Sequence, residues 1–202
     1  MMKVKMCGLT REEDIEAANA VRPEYIGFVF AKKSRRYIDP AAAGQLRKKL
    51  DPSICAVGVF VDEHAETVAA LLNEGIIDIA QLHGQEDDAY IRQLKKRTEK
   101  PLIKAFRIRA QEDIQAAQRS TADLVLLDAG AGDGKTFDWA LLEGMKRPFF
   151  LAGGLDPENI REIQENPFLF ALDVSSGIET NGQKDIHKMA AFRKAAGKEG
   201  TL

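Results

Sequence analysis

The sequence predicts an α/β protein: a single-domain (β/α)8 barrel spanning residues 1–202. Three observations carry that expectation. Eight apolar, β-branched runs recur along the chain, segments with helical spacing separate them, and no shift of composition marks a domain boundary. Runs that are continuously apolar, rather than alternating, suit strands covered on both faces, as in parallel sheets. A doubly wound open sheet usually has five or six strands and leaves edges exposed, whereas eight equivalent units can close on themselves as a TIM barrel. The chain is near the lower size limit of that architecture, which leaves almost no room for inserted domains.

Taken in order, the first run is "VKMCGL" (4–9), after which Thr10 and Glu13 form a capping box for a helix over "REEDIEAANAV". The second, "YIGFVF" (25–30), leads through "KKSRRY" to Asp39-Pro40, an N-cap and a first-turn proline ahead of "AAAGQLRKKL". "CAVGVFV" (55–61) precedes "HAETVAALLNEG", whose final Gly75 suits a helix C-cap. "IIDIAQLHG" (76–84) and "PLIKAFRI" (101–108) are followed by the amphipathic "DDAYIRQLKKRTEK" and "AQEDIQAAQ". After "LVLLDA" (124–129) comes the shortest helical segment, "TFDWALLEGM". "PFFLAGG" (148–154) leads to a second Asp-Pro start, Asp156-Pro157, before "ENIREIQ". "FALDVSSG" (170–177) completes the set and is followed by "DIHKMAAFRKAAG".

Composition narrows the functional classes. With 45% hydrophobic and 30% charged residues, the chain has the profile of an ordinary globular protein. A net charge of −2 gives no footprint for nucleic acid or an anionic membrane surface. No apolar run approaches the ~18 residues a membrane span needs, and the first residues read as a strand rather than a signal segment. Cys7 and Cys55 stand in unlike contexts, and His64, His83 and His187 are scattered, so neither a disulfide framework nor a metal site is expected. A reducing, cytoplasmic setting is the expectation, with a small molecule as partner and the chain acting as a monomer or a homodimer.

A barrel of this kind carries its chemistry at the C-terminal ends of its strands and in the loops that follow. "LAGGLDPEN" puts Gly153 and Gly154 directly before a capped helix, and "DVSSGIET" puts Ser175, Ser176 and Gly177 after the last strand. Glycine-exposed N–H groups, a helix start and serine hydroxyls together suit a phosphate, and the loops after strands seven and eight are where many barrels hold one. Those glycines could also serve only tight turns; the coincidence of both loops in the two right places favours a phosphorylated small molecule. Cys7 lies where strand one gives way to a glycine and a helix start, so its thiol faces the pocket and can act as nucleophile or base once its pKa is lowered. The plainer reading, a small buried hydrophobe, is kept for Cys55. Asp128 follows four apolar residues at the end of strand six, where apolar neighbours favour a protonated carboxyl that can serve as general acid. Cys7 and Asp128 on opposite sides of one mouth form an acid–base couple. Arg36 in "KKSRRY" can grip a carboxylate with two hydrogen bonds, although such a run also suits a solvated loop. His83, ending strand four in "QLHG", is a further substrate-binding candidate. "AGAGDGKT" (129–136) matches a relaxed nucleotide phosphate loop, but the helix after it is short and no carboxylate cluster for magnesium follows, so it reads as the loop after strand six. Period-two spacing puts Lys5 on the same inward face as Cys7, and Asp173 lies in the middle of the apolar run of strand eight, which closes against strand one. Neither charge is tolerable alone inside a barrel, so the two are expected to pair.

These motifs resemble a known family. "KMCGLT", "GFVFAKKSRRY", "VGVFV", "QLHG", "IKAF", "LVLLDA", "GKTFDW", "LAGGLDPENI" and "LDVSSGIE" match, in order and spacing from residue 3 to about 195, the phosphoribosylanthranilate isomerases of tryptophan biosynthesis. The resemblance implies an Amadori aldose-to-ketose isomerisation of N-(5′-phosphoribosyl)anthranilate, with no cofactor and no metal. It implies Cys7 as the base that takes the C2′ proton, Asp128 as the acid that opens the sugar ring, and Arg36 as the anthranilate carboxylate's partner. Arg35, where the family usually has proline, is the alternative to Arg36. Gly153, Gly154, Ser175, Ser176 and Gly177 are implied around the phosphate. Two rivals stand beside this reading: a lyase or epimerase acting on another sugar phosphate, and a barrel that senses such a ligand without turning it over.

Overall fold

The computed structural model describes residues 2–128, 139–160 and 166–197. Eight parallel strands close into a barrel in chain order: β1 Lys3–Cys7, β2 Tyr25–Val29, β3 Cys55–Phe60, β4 Ile79–Leu82, β5 Leu102–Arg107, β6 Leu124–Asp128, β7 Phe149–Ala152 and β8 Leu169–Val174. The strands are shorter than the apolar runs that foretold them, because the ends of the runs lie in loops and under helices rather than in the ladder. β8 pairs with β1 at Lys5↔Asp173, which closes the cylinder and leaves no edge.

Helices α1 Glu12–Val21, α2 Pro40–Arg47, α3 Ala65–Asn73, α4 Asp88–Lys95, α5 Gln111–Arg119 and α6 Ile186–Ala195 surround the barrel. Alternate residues of each strand separate two cores. Val4, Ile26, Ala56, Leu82, Leu102 and Leu127 face outward against the helices. Tyr25, Val57, Ile79, Ile103, Leu126 and Phe150 face inward and fill the cylinder. At its lower end Phe150 meets Tyr25 and Phe170 edge to face, each pair with ring centroids 5.4 Å apart.

The local start signals hold in most places. Asp39 accepts a hydrogen bond from the Ala41 N–H with Pro40 at the first helical position, and Asp156 accepts from Glu158 and Asn159 N–H groups. Gly75, at φ 72°, lies just past the end of α3, as a C-terminal glycine should. The first cap is displaced by one residue. Rather than Thr10 with Glu13, the buried Asp14 carboxylate accepts from the Thr10 and Arg11 N–H groups and pairs with the Arg11 side chain. Asp14 is on the inward side of α1, where a carboxylate needs those donors, while Glu13 points to solvent. The segment read as the shortest helix contains a 3-10 turn over Trp139–Gly144, and its start, with the relaxed phosphate-loop match at 129–136, lies outside the described residues. The body of "ENIREIQ" does so as well.

A small hairpin after β8 was not foreseen. β9 (Glu179–Thr180) and β10 (Gln183–Lys184) pair antiparallel around Asn181 and Gly182, both at positive φ. The Asn-Gly dipeptide is the sequence signal for this turn.

Candidate active site

Cys7 is the last residue of β1 and is 9% exposed. Its neighbour on β2 in the ladder is Gly27. A Cβ at Gly27 would sit 2.6 Å from Cys7 Sγ, so the thiol occupies space that only glycine leaves open. Beneath it, Lys5 Nζ donates to both carboxylate oxygens of Asp173 at 3.0 Å, with the ammonium fully buried. The expected interior pair is therefore present. Burial pulls the Lys5 ammonium down, but Asp173 and the Cys7 sulfur outweigh it, and its pKa ends above the usual lysine value.

The net effect on the thiol runs opposite to the expectation. Burial pushes the Cys7 pKa up, and although Lys5 and Lys184 pull it down, burial wins. Cys7 is thus a buried thiol near two cations, whose pull toward the thiolate is smaller than the opposing effect of burial.

On one side of Cys7 lies a cluster that the sequence reading missed. Arg36 donates through Nε to Glu179 Oε1 at 2.6 Å and through Nη2 to Oε2 at 2.8 Å. Lys184, nearly fully buried, donates to Glu179 Oε1 at 2.7 Å and to the Ser175 carbonyl at 3.0 Å. Burial would raise the Glu179 carboxyl, but hydrogen bonds from Arg36 and Lys184 outweigh it and hold it below the usual range. Arg35 is 66% exposed and reaches the same carboxylate only at 3.4 Å, whereas Arg36 is 21% exposed and folded over Gly8. Of the two arginines, Arg36 is the one built into the mouth. The missed signal was again the Asn181-Gly182 hairpin, which carries Glu179 and Lys184 on facing strands.

Gly153 and Gly154, at φ 95° and 63°, follow β7 in conformations that favour glycine. Gly177 lies so close to the Leu155 carbonyl that a side chain there would collide with it, which brings the β8 loop against the β7 loop. Ser176 and Gly177 open a short 3-10 turn, Ser176–Ile178. Ser175 points elsewhere: its hydroxyl donates to the Cys7 carbonyl at 3.0 Å, tying the loop to the end of β1.

Across the mouth, Asp128 ends β6 and His83 follows β4. His83 Nε2 is 3.1 Å from Asp128 Oδ2, and the two side chains are 33% and 24% exposed. A cavity of about 860 Å³ opens beside them, bordered also by Lys104, Phe106 and Arg107. Asp173 lies between the two sides, within electrostatic reach of Lys5, His83 and Asp128. The arrangement can hold a proton acceptor at the end of β1 and a proton donor at the end of β6, with cations beside the acceptor.

Comparison with known proteins gives the family and the fold. A family described as "N-(5'phosphoribosyl)anthranilate (PRA) isomerase" matches residues 4–195. The N-(5'-phosphoribosyl)anthranilate isomerase of Endomicrobium trichonymphae is 44% identical over 194 residues, covering 94% of this chain and 95% of that protein. A crystal structure of phosphoribosyl anthranilate isomerase from Thermus thermophilus superposes with a TM-score of 0.86 at 36% identity, over 96% of this chain and 98% of that one. A further isomerase structure, in complex with reduced 1-(o-carboxyphenylamino)-1-deoxyribulose 5-phosphate, gives 0.84 at 34% identity over 97% and 98% of the two chains.

Proposed function

The chain belongs to the N-(5'-phosphoribosyl)anthranilate isomerase family, and we propose that Cys7 and Asp128 divide the proton transfers of that isomerisation between them. The reaction is the aldose-to-ketose rearrangement of N-(5′-phosphoribosyl)anthranilate in tryptophan biosynthesis. The observation that carries the division of roles is placement. Both residues end strands on the inward face, on opposite sides of the mouth, with the Lys5–Asp173 pair between them.

Asp128, protonated, gives its proton to the ribose ring oxygen as the C1′–O bond breaks, which leaves an open-chain iminium and a carboxylate. Cys7 gives its thiol proton to solvent, and as a thiolate it takes the proton from C2′. Electrons from that C–H bond form a C1′=C2′ double bond and neutralise the nitrogen. Proton gain at C1′ and loss from the 2′ hydroxyl give the ketose, so C1′ is reduced as C2′ is oxidised and no cofactor is consumed. Lys5 and Lys184 oppose the cost of a buried thiolate. A reducing, cytoplasmic setting suits a base that must remain a free thiol.

The same reading gives Arg36 the anthranilate carboxylate and His83 a place at the substrate's edge. Gly153, Gly154, Ser176 and Gly177 surround the phosphate, with Ser175 fixing that loop to β1. All these groups come from one chain, so the site is complete in a monomer and in a homodimer alike.

The test is turnover. Purified protein should consume phosphoribosylanthranilate, read as loss of its fluorescence, and should restore growth of a tryptophan-requiring strain that lacks this step. Binding of the substrate without turnover would mean a sensor instead.

A further inference from the structure

The inward face of β4 carries a buried amide with no counterpart in the reaction just described. Gln81 is 1% exposed, its Nε2 lies 2.8 Å from His83 Nδ1, and its Oε1 has no hydrogen-bond partner among the described residues. An apolar side chain of similar size would be the more stable occupant of such a site, because a buried acceptor left unmade is costly. What the amide does contact is His83.

That contact decides where the imidazole keeps its proton. With an amide N–H directed at Nδ1, Nδ1 must be the acceptor, so a neutral ring carries its hydrogen on Nε2. Nε2 is the nitrogen that faces Asp128 Oδ2, at 3.1 Å. The turn that carries His83 is held rigidly. Lys104 Nζ donates to the Gly84 carbonyl at 2.7 Å and to Glu86 Oε2 at 2.9 Å, and the Gly84 N–H donates to the same Glu86 oxygen at 2.8 Å. The His83 main-chain N–H donates to the Phe60 carbonyl at 2.8 Å.

We propose that Gln81 and His83 are positioning residues for the acid: Gln81 fixes the His83 tautomer, and His83 Nε2–H holds Asp128 Oδ2. The Nε2–H bond stabilises the carboxylate that remains once the proton has gone to the ring oxygen. The proposal rests on Asp128 being the acid, and it moves His83 from substrate contact to partner of that acid.

Two measurements test it. Nitrogen-15 NMR of the imidazole reads the tautomer without any turnover. The Nε2–H form should dominate in the unliganded protein, and Gln81→Met should raise the share of the Nδ1–H form. A proton resident on Nδ1 in the wild type overturns the proposal, whatever the role of Asp128. Kinetics then separate orientation from binding. Gln81→Met should lower kcat ~10-fold with KM within ~2-fold. His83→Gln, which can still present an N–H to Asp128, should stay within ~10-fold of wild type, while His83→Leu should lose ~100-fold in kcat. Equal losses in the Gln and Leu variants, or a raised KM at unchanged kcat, would return His83 to the substrate and overturn the assignment. Full activity in Asp128→Asn would instead refute the acid itself, with the tautomer measurement unaffected.

Discussion

The β1–β8 side of the mouth and the β4–β6 side solve opposite problems. Around Cys7 the charged groups are enclosed and paired: Lys5 with Asp173, and Arg36 and Lys184 with Glu179. Around Asp128 the side chains are partly open to a cavity of about 860 Å³, with His83 Nε2 at 3.1 Å from the carboxylate and the buried Lys104–Glu86 pair holding the turn behind His83. A base that must give up a proton inside a protein works against burial, and cations near it recover part of that cost. An acid beside solvent has no such difficulty, and what it needs is orientation. The difference teaches that charge at the mouth serves the base directly on one side, while on the other it serves the turn that aims His83 at the acid.

The largest effects should come from removing the two reacting groups. Cys7→Ser and Asp128→Asn should each lower kcat by ~100-fold or more while the barrel stays folded, read by steady-state kinetics beside circular dichroism. Near-normal kcat in either variant would remove that residue from the chemistry and with it one half of the comparison.

Breaking the interior pair should damage stability rather than chemistry first. Asp173→Ala leaves the Lys5 ammonium buried without its partner, which typically costs ~3–5 kcal/mol. Denaturant unfolding measures it, and a loss below ~1 kcal/mol would mean that the pair does not hold the cylinder's seam.

Gly27→Ala sharpens the account of the thiol's seat. The new methyl would press on Cys7 Sγ, 2.6 Å from where it would stand. A displaced base should cost ~10-fold or more in kcat, with a smaller change in stability. Unchanged kcat would show that the position of the thiol is not set by its neighbour on β2.

A smaller and more specific effect concerns charge. Burial raises the Cys7 pKa and Lys5 lowers it, so replacing Lys5 by Met should move the thiol's titration to still higher pH. Alkylation rate against pH reads this directly, as a midpoint moved to higher pH. An unchanged or lowered midpoint would sever the link between the buried ammonium and the base.

Much of this architecture was legible in the residues. Strands covered on both faces leave long apolar runs, so the eight units could be read off, and an Asp-Pro start fixes a helix by its own local chemistry, as at Asp39. Lys5 and Asp173 were legible as partners because period-two spacing put Lys5 inside, and Asp173 stood in an apolar run on the strand that closes against it. What stayed hidden depends on competition or distance. Asp14 took the first cap from Thr10 because of which side of α1 faces inward. The sign of the Cys7 shift depends on burial outweighing two cations, a balance with no local signature. Glu179 and Lys184 meet Arg36 across 143 positions and more of sequence, and Gln81 in "QLHG" reads as one polar residue in an apolar strand until the ring it touches is seen.

The division of labour between Cys7 and Asp128 is tested most directly by substrate carrying deuterium at C2′. In Cys7→Ser, removal of that hydrogen should become the slowest step, and the isotope effect on kcat should rise above the wild-type value. In Asp128→Asn, ring opening should become the slowest step, and the isotope effect should fall toward unity. The same isotope effect in both variants, or the reverse assignment, would contradict a base at β1 and an acid at β6.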